Sequence, residues 1–328
     1  MVKASIIILN WNGLEFLKDC FESIQKQTFT DFETIMVDNN SQDGSPNYVE
    51  NVFPWIRVIR NNKNTGQTGG DNTGIKHAKG EYIILLDNDT IVDKNWLKEL
   101  VVAADSDPKI GMCGSKMYFM DDPRLICSTG LLAFTDGSAI DRGVYEIDKG
   151  QYDNKPDIFG PCGGSGLYKK EMLENMKIMG EYMDNEFFAY CEDLDIAYKG
   201  RLLGYVCKFA PKSIVYHKVN ASSRKISNLG LTCGIKNKMW VVIKNFPTKM
   251  LLKYMPFIAM RQVVSFVFYL FIKPSIPATK ARVVMIKKIP VMLKKRKIIQ
   301  DRRKITSDQL EGTLQKRSML GYLFFRYD

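Results

Sequence analysis

Residues 81–93, EYIILLDNDTIVD, constrain the fold more than any other stretch. The apolar run Tyr82, Ile83, Ile84, Leu85, Leu86 stops abruptly at Asp87, Asn88 and Asp89. An unbroken apolar run of strand length reads as a strand buried on both faces, the signature of a parallel sheet covered by helices. Ligands of such sheets bind outside the carboxyl ends of the strands, so these two carboxylates face a crevice and not bulk solvent. Asp-x-Asp there suits a hard cation. Mg²⁺ or Mn²⁺ takes oxygen ligands and is usually held by one or two carboxylates plus substrate phosphates, which makes a nucleotide diphosphate the natural guest. The competing reading is a strand ending in a polar turn, because Asp and Asn favour turns.

The rest of the chain repeats the unit. Residues 4–10 (ASIIILN) form an apolar strand followed by Leu14, Leu17, Cys20, Phe21 and Ile24 at helical spacing, and residues 32–38 (FETIMVD) form a second strand ending in Asp38. Ser45 is a candidate N-cap with Pro46 at the first helical position. Residues 56–60 give a third strand, then a glycine-rich connection leads to a short helix around 74–79, and a further helix covers 95–105. Strands alternating with helices predict a mainly parallel α/β sheet. Beyond Pro108 the pattern turns antiparallel, with strands at 110–119 and 125–134; a helix follows at 170–179, residues 186–196 open another that runs to about Leu203, and two short strands at 206–209 and 214–217 complete the body. Residues 136–155 lack periodicity and are expected to be a mobile loop over the site.

With 328 residues, 45% hydrophobic, the chain is long enough for one large core and a smaller second domain. Its seven cysteines are scattered and never spaced C-x-x-C, which indicates neither a disulfide framework nor a zinc site and points to a reducing compartment. Met1-Val2-Lys3 leads straight into the first strand, so no signal peptide is expected. The net charge of +11 is unevenly spread. Residues 236–328 hold 21 of the 47 Lys and Arg but 4 of the 36 Asp and Glu, giving a tail of +17 on a body of −6. Such asymmetry predicts an anionic partner for the tail.

Three strand ends bring polar groups to one rim: Asn10-Trp11-Asn12, Asp38 with Asn40, and Asp87 with Asp89. A nucleotide needs an aromatic face for its base, a carboxylate or amide for the base edge and an acid for the ribose hydroxyls. The connection from Asn64 through Gly66 to Asn72 and Gly74 lets backbone approach a ligand. It is neither G-x-G-x-x-G after the first strand nor a G-x-x-x-x-G-K-[ST] loop. Farther on lie Gly163-Gly164-Ser165, an acceptor-side floor or simply a turn, and Glu192-Asp193-Leu194-Asp195, where a helix N-terminus by itself favours acids.

In order and spacing, these pieces resemble the family 2 glycosyltransferases of the GT-A fold, which transfer a sugar from a nucleotide-sugar with inversion. The likeness rests on residues 5–12 (SIIILNWN), 37–45 (VDNNSQDGS), Asn64-Thr65-Gly66, Leu86-Asp87-Asn88-Asp89 and Glu192-Asp193-Leu194-Asp195, covers about residues 2–237, and is nearest to rhamnosyltransferase-like members. It implies that Asp38 reads the nucleobase, Asp87 sits at the ribose, Asp89 binds the metal bridging the diphosphate, and Asp193 is the general base. Asn10, Trp11, Asn12, Asn40, Asn64, Gly66 and Asn72 would complete the donor site, and Gly163, Gly164, Ser165 and Glu192 the acceptor side. Asn10-Trp11-Asn12 departs from the Pro-Thr-Tyr-Asn of many members, which leaves the base open. His217, followed by Asn220 and Ser222, matches a position where some relatives put a further metal or diphosphate ligand, although a lone histidine is more often structural. The expected organisation is a GT-A domain over 1–235, with a nucleotide-sugar half to about 118 and an acceptor half from 119, then a helical tail over 236–328.

Within that tail the longest uncharged apolar run, residues 263–272, would span only ~15 Å as a helix against a ~30 Å hydrocarbon core. Amphipathic segments lying in the interface of an anionic membrane, followed by the lysine and arginine clusters of 287–304, fit better. The expectation is a soluble cytoplasmic body held peripherally at the cell membrane, taking a nucleotide-diphosphate-sugar and a glycan or lipid-linked acceptor. Aromatics in the tail cluster with aliphatics instead of alternating with cations, which argues against a nucleic-acid partner. A sugar-phosphate nucleotidyltransferase is the other enzyme reading, but Asn10-Trp11-Asn12-Gly13 offers no phosphate loop.

Overall fold

The structure, a computed structural model, describes residues 2–219 and 226–316. The first half runs β1 (Ala4–Asn10), α1 (Leu14–Gln25), β2 (Phe32–Asp38), α2 (Ser45–Val52), β3 (Arg57–Arg60), α3 (Gly66–His77), β4 (Tyr82–Asp87), β5 (Thr90–Val92), α4 (Trp96–Asp105) and β6 (Ile110–Phe119). The second half adds β7 (Ile126–Ser128), β8 (Leu131–Ala133), β9 (Ala139–Asp141), β10 (Asp157–Ile158), β11 (Ser165–Lys169), α5 (Lys170–Asn175), α6 (Glu192–Leu202) and β12 (Val206–His217). The tail is helical: α7 (Leu229–Asn245), α8 (Thr248–Val267) continuing as a π-helical segment (Phe268–Ile272), α9 (Ile276–Lys287), α10 (Ile289–Asp301) and α11 (Ser307–Glu311).

One mixed sheet organises the molecule, in the order β10-β12-β6-β11-β4-β1-β2-β3, with β5 on β12 and β7 on β6. The pairs β1–β2, β1–β4, β2–β3 and β6–β12 are parallel, and β11 is inserted antiparallel between β4 and β6. This is the mostly parallel GT-A sheet. Side chains of each strand alternate between two cores: Ile7, Ile35, Val37, Ile83 and Leu85 face one, and Ile6, Ile8, Met36, Ile84 and Leu86 face the other against α1 and α4. Burial on both faces explains why β1, β2 and β4 read as unbroken apolar runs.

Several local expectations are corrected. The glycine-rich connection is itself helical, because α3 lies directly on the sheet: a Cβ at Gly70 would come within 2.1 Å of Leu9 Cδ1, and one at Gly74 within 2.4 Å of Ile7 Cγ2. Helix α2 starts at Ser45 itself, after a left-handed Gly44 (φ 81°), since the Ser45 hydroxyl donates to Asp43 Oδ1 (2.6 Å) and is not free to cap. The strand expected at 125–134 is split into β7 and β8 around Gly130 (φ 105°), whereas 206–209 and 214–217 join as β12 across a bulge. Residues 136–155 are fixed and not a mobile loop: the buried Arg142 donates to Thr129 Oγ1 (2.9 Å), Thr129 O (3.1 Å) and Lys155 O (2.9 Å), and Lys116 pairs with Asp148 and Asp153.

The tail is welded to the body. Trp240, Phe246, Met250, Met285, Met292 and Leu310 belong to the same core as Ile7 and Val37, and α7 runs through residue 235, where a boundary was expected.

Candidate active site

Parallel register sets the site. Asn10 pairs with Asp38 and Leu9 with Asp87, so the ends of β1, β2 and β4 lie side by side at one edge. A cleft of about 330 Å³ opens over them, and its lining includes Trp11, Asn64, Gly66, Asp87, Asp89, Gly163, Gly164, Glu192 and His217 from the sequence reading. Asn39, Asn88, Phe188 and Tyr190, none of them assigned to the site from the sequence, line it as well.

The Asp87-Asn88-Asp89 turn is held from three sides. The Asp87 amide donates to Gly164 O (3.1 Å), Asn88 Nδ2 to Asn10 Oδ1 (2.8 Å), and the Lys218 amide to Asp89 O (3.0 Å). Antiparallel pairing of β12 with β5 sets His217 opposite Thr90, and its Nε2 lies 3.1 Å from Asp89 Oδ1 and 3.5 Å from Asp87 Oδ2. The three ligand atoms all fall within 4.8 Å of one another. Asp87, expected at the ribose, therefore shares one group with Asp89 and His217. Asn220 and Ser222 lie outside the described residues.

Electrostatics here favour a cation. Burial pushes the Asp87 carboxyl up to about 7, with His217 pulling it back and Asp89 and Asp193 adding to the rise. Burial likewise takes Asp71 up to about 8, and burial with the Asp193 charge lifts Glu192 well above its ordinary value. Burial alone would lower the His217 imidazole, but Asp89 and the neighbouring charges hold it well above its usual range. Crowded buried carboxylates that resist ionising together are what a divalent ion relieves, and two carboxylates with one imidazole fit Mn²⁺ or Mg²⁺.

Asp193, in the first turn of α6, sits behind Gly163: its Oδ2 accepts from the Gly163 amide (3.2 Å) and its Oδ1 from the Leu194 amide (2.7 Å). Burial pushes it up to about 6, the Asp141 charge adding and those two amides opposing. Asp141, on β9, gave no sequence signal, because nothing in its neighbourhood marks it as facing α6.

The remaining candidates divide. Asp38 is buried, accepts from the Ser41 amide through Oδ2 (3.1 Å), and leaves Oδ1 with no hydrogen-bond partner among the described residues. Its neighbour Asn39 ties β2 to α3, donating to Gly66 O (3.0 Å). Asn10 is buried and engaged by Ser45 and Asn88, and Asn12, at φ 53°, accepts from the Gln42 amide (2.7 Å). Asn40 is exposed at φ 66°. The cleft lining leaves out Asn10, Asn12, Asp38, Asn40, Asn72, Ser165 and Asp193, and two of these are engaged elsewhere. Asn72 spends its amide on residues 182–185, donating to Met183 O (2.9 Å) and accepting from the Met183 amide (2.9 Å), and Ser165 lies in the core between Trp96 Nε1 and Ser115 Oγ.

Opposite the acids, the rim 187–191 contains three left-handed non-glycine residues, Phe188, Tyr190 and Cys191 (φ 67°, 67° and 66°). Such backbone costs of order 1–3 kcal/mol per residue and persists only when its surroundings hold it. Here α7 does so. Asn237 Nδ2 contacts the carbonyls of Phe187 (3.2 Å), Ala189 (2.8 Å) and Tyr190 (2.7 Å), and Lys236 Nζ those of Glu186 (2.9 Å) and Phe187 (3.0 Å).

Comparison with known proteins is consistent with this arrangement. The model of a family described as Glycosyl transferase family 2 matches residues 5–176. Poly(ribitol-phosphate) beta-N-acetylglucosaminyltransferase TarP of Staphylococcus aureus (strain N315) is 27% identical over 215 residues, 60% of this chain and 64% of that protein. GalNAc(5)-diNAcBac-PP-undecaprenol beta-1,3-glucosyltransferase of Campylobacter jejuni is 29% identical over 195 residues, 57% of this chain and 58% of that one. The chain spans less than two thirds of the length of such curated relatives. Among solved structures, GalNAc-T7 with UDP, GalNAc and Mn²⁺ superposes with a TM-score of 0.62 at 19% identity, covering 81% of this chain and 51% of that one, a likeness of fold.

Proposed function

The chain belongs to glycosyl transferase family 2, and on that footing we propose that it transfers a hexosyl group, with inversion and with Mn²⁺ or Mg²⁺, from a nucleotide-diphosphate-sugar to a hydroxyl of a lipid-linked or cell-surface glycan. The observation that carries this reading is the meeting of Asp87, Asp89 and His217 with Gly163, Gly164 and Glu192 around a single cleft, with the Asp193 carboxylate directly behind its Gly163 wall. Rhamnose is the donor sugar favoured by the resemblance of the strand-end segments. The names of the relatives, which include a poly(ribitol-phosphate) and an undecaprenol-linked acceptor, support a cell-surface glycan as the product.

The donor is bound at the ends of β1, β2 and β4, where Trp11 flanks the base; Asp38, which the resemblance gives as the reader of the base edge, is buried outside the cleft lining with its Oδ1 unpaired among the described residues. A cation held by Asp87, Asp89 and His217 would supply Lewis-acid neutralisation of the charge growing on the departing diphosphate. Asp193 takes the proton of the acceptor hydroxyl while its oxygen bonds to the anomeric carbon and the electron pair of the breaking C–O bond leaves with the diphosphate. A carboxyl poised near 6 is ionised at neutral pH yet basic enough for this step, and such a base contributes roughly 10²- to 10⁴-fold. Displacement in one step on one face inverts the configuration. Residues 1–118 serve the donor, 119–235 serve the acceptor and add His217 to the donor-side cation site, and residues 236–328 hold the body at the cytoplasmic face of the membrane.

Incubation with a panel of nucleotide-sugars and Mn²⁺ tests the reading. Slow donor hydrolysis that disappears in Asp193→Asn, with donor binding kept, is expected; hydrolysis unaffected by that change would remove Asp193 from its role.

A further inference from the structure

No Asp or Glu occurs between Asp195 and Asp301, and in the middle of this acid-free stretch 25 residues, Thr248–Ile272, form a helix long and apolar enough to cross a membrane. By length and composition it could span, but it is tethered to the body along its first half. The first half is fastened to the body: Met250, Tyr254 and Ile258 are in the core, Lys249 pairs with Asp308 (2.7 Å), Lys253 with Glu311 (2.6 Å), and Arg261 with the buried Asp136 (2.5 Å). Beyond Arg261, residues 262–272 project, ~16 Å of helix against a ~30 Å hydrocarbon core. The chain then turns at Lys273-Pro274, Ser275 caps α9 by accepting from the Ala278 amide (3.3 Å), and α9 returns alongside. Arg282 latches the two arms, its Nη2 donating to Ser265 Oγ (2.8 Å) and its guanidinium lying over the rings of Phe266 (5.7 Å) and Tyr269 (5.6 Å).

We propose that this latched α8–α9 hairpin is a monotopic wedge that seats in the headgroup boundary of one anionic leaflet. Phe271, Ile272 and Ile276 at its turn are at least 70% exposed, and Val263, Val283 and Ile286 extend the apolar surface along both arms. Lys273, Lys280 and Lys287 stand exposed among them with no acid on the hairpin, so a second copy of the same surface is repelled and anionic lipid is attracted, by about 1 kcal/mol per cation. A lysine at the turn is compatible with interfacial seating ~5–10 Å deep, where its stem lies on apolar surface and its ammonium reaches phosphate. The wedge is also coupled to the cleft: α9 packs on α7, with Trp240 Nε1 donating to Met285 O (3.2 Å), and α7 carries Leu229 of the cleft wall and Asn237 behind its rim.

The inference rests on the membrane reading given above, and a paired experiment on the full chain separates the two. Flotation with phosphatidylglycerol vesicles is compared for the wild type and Phe271→Asp/Ile272→Asp, and Phe271→Trp is titrated with vesicles brominated either near the headgroup or near the chain end. The expected results are at least a tenfold loss of flotation in the double variant, with donor hydrolysis in vesicle-free buffer unchanged, and strongest quenching by headgroup-proximal bromine. If the wild type floats but the double variant floats equally, or if chain-end bromine quenches most, the wedge is wrong while membrane association stands. If the wild type fails to float, both are wrong.

Discussion

The side-chain amide of Asn237, on α7, donates to the carbonyl of Tyr190 at 2.7 Å, tying a tail helix to the rim of the cleft. The same amide contacts Ala189 and Phe187, so one residue holds a turn with three left-handed residues. Asn237→Ala leaves buried carbonyls unpaired, at ~1–3 kcal/mol for an unsatisfied group, and frees the rim. The expected outcome is a loss of kcat of at least tenfold with a much smaller change in donor Kd, checked by steady-state kinetics beside a nucleotide titration.

Behind the rim, Lys244 is buried between Asp184 (2.6 Å) and Asp195 (3.0 Å), Lys295 completes Asp184 (2.5 Å), and Lys199 completes Asp195 (3.1 Å). Lys244→Met removes the shared cation and leaves Asp184 to Lys295 alone and Asp195 to Lys199 alone, which predicts a loss of ~3–5 kcal/mol in urea unfolding at pH 7. Although burial opposes it, Lys244 and Lys295 hold the Asp184 carboxyl well below its ordinary value. Its contribution is therefore complete above the unfolded value of about 3.9 and drains away as pH falls below that, so unfolding midpoints should drop on acidification through this window.

Asp193 must be ionised to accept a proton. With its carboxyl at about 6, the rate of transfer should rise with pH through that value and level off above it. Asp141 contributes to the rise, so Asp141→Asn should move the acidic limb to lower pH, read from kcat/KM profiles of the two proteins.

Gly70 faces β1 so closely that a methyl group would meet Leu9 Cδ1 at 2.1 Å. Gly70→Ala should destabilise by ~1–3 kcal/mol through overpacking, measured as a lower thermal midpoint, although alanine is the better helix former.

What the sequence disclosed and what it hid follow from burial. Strands β1 and β2 were legible to the residue because both faces are buried and leave long apolar runs, and Asn10 and Asp38 at their ends stood out against those runs. Helix α3 was hidden because its polar glycine-rich sequence has low helical propensity, and contact with Leu9 and Ile7 decides it instead. Arg142 was equally invisible as the anchor of 136–155, since its partners are mostly backbone carbonyls that no side-chain pattern announces. Asn237 and Asp141 belong to the same class: each acts on a segment about fifty residues away in sequence, and only the folded core brings them together.

The most direct measurement is calorimetric titration of UDP and GDP into the wild type, Asp89→Ala and Asp193→Asn, each with and without Mn²⁺. Binding of at least one nucleotide that tightens at least tenfold with Mn²⁺ in the wild type and in Asp193→Asn, and loses that dependence in Asp89→Ala, is predicted. Nucleotide affinity indifferent to Mn²⁺ in all three proteins would contradict a metal-assisted donor site built on Asp87, Asp89 and His217.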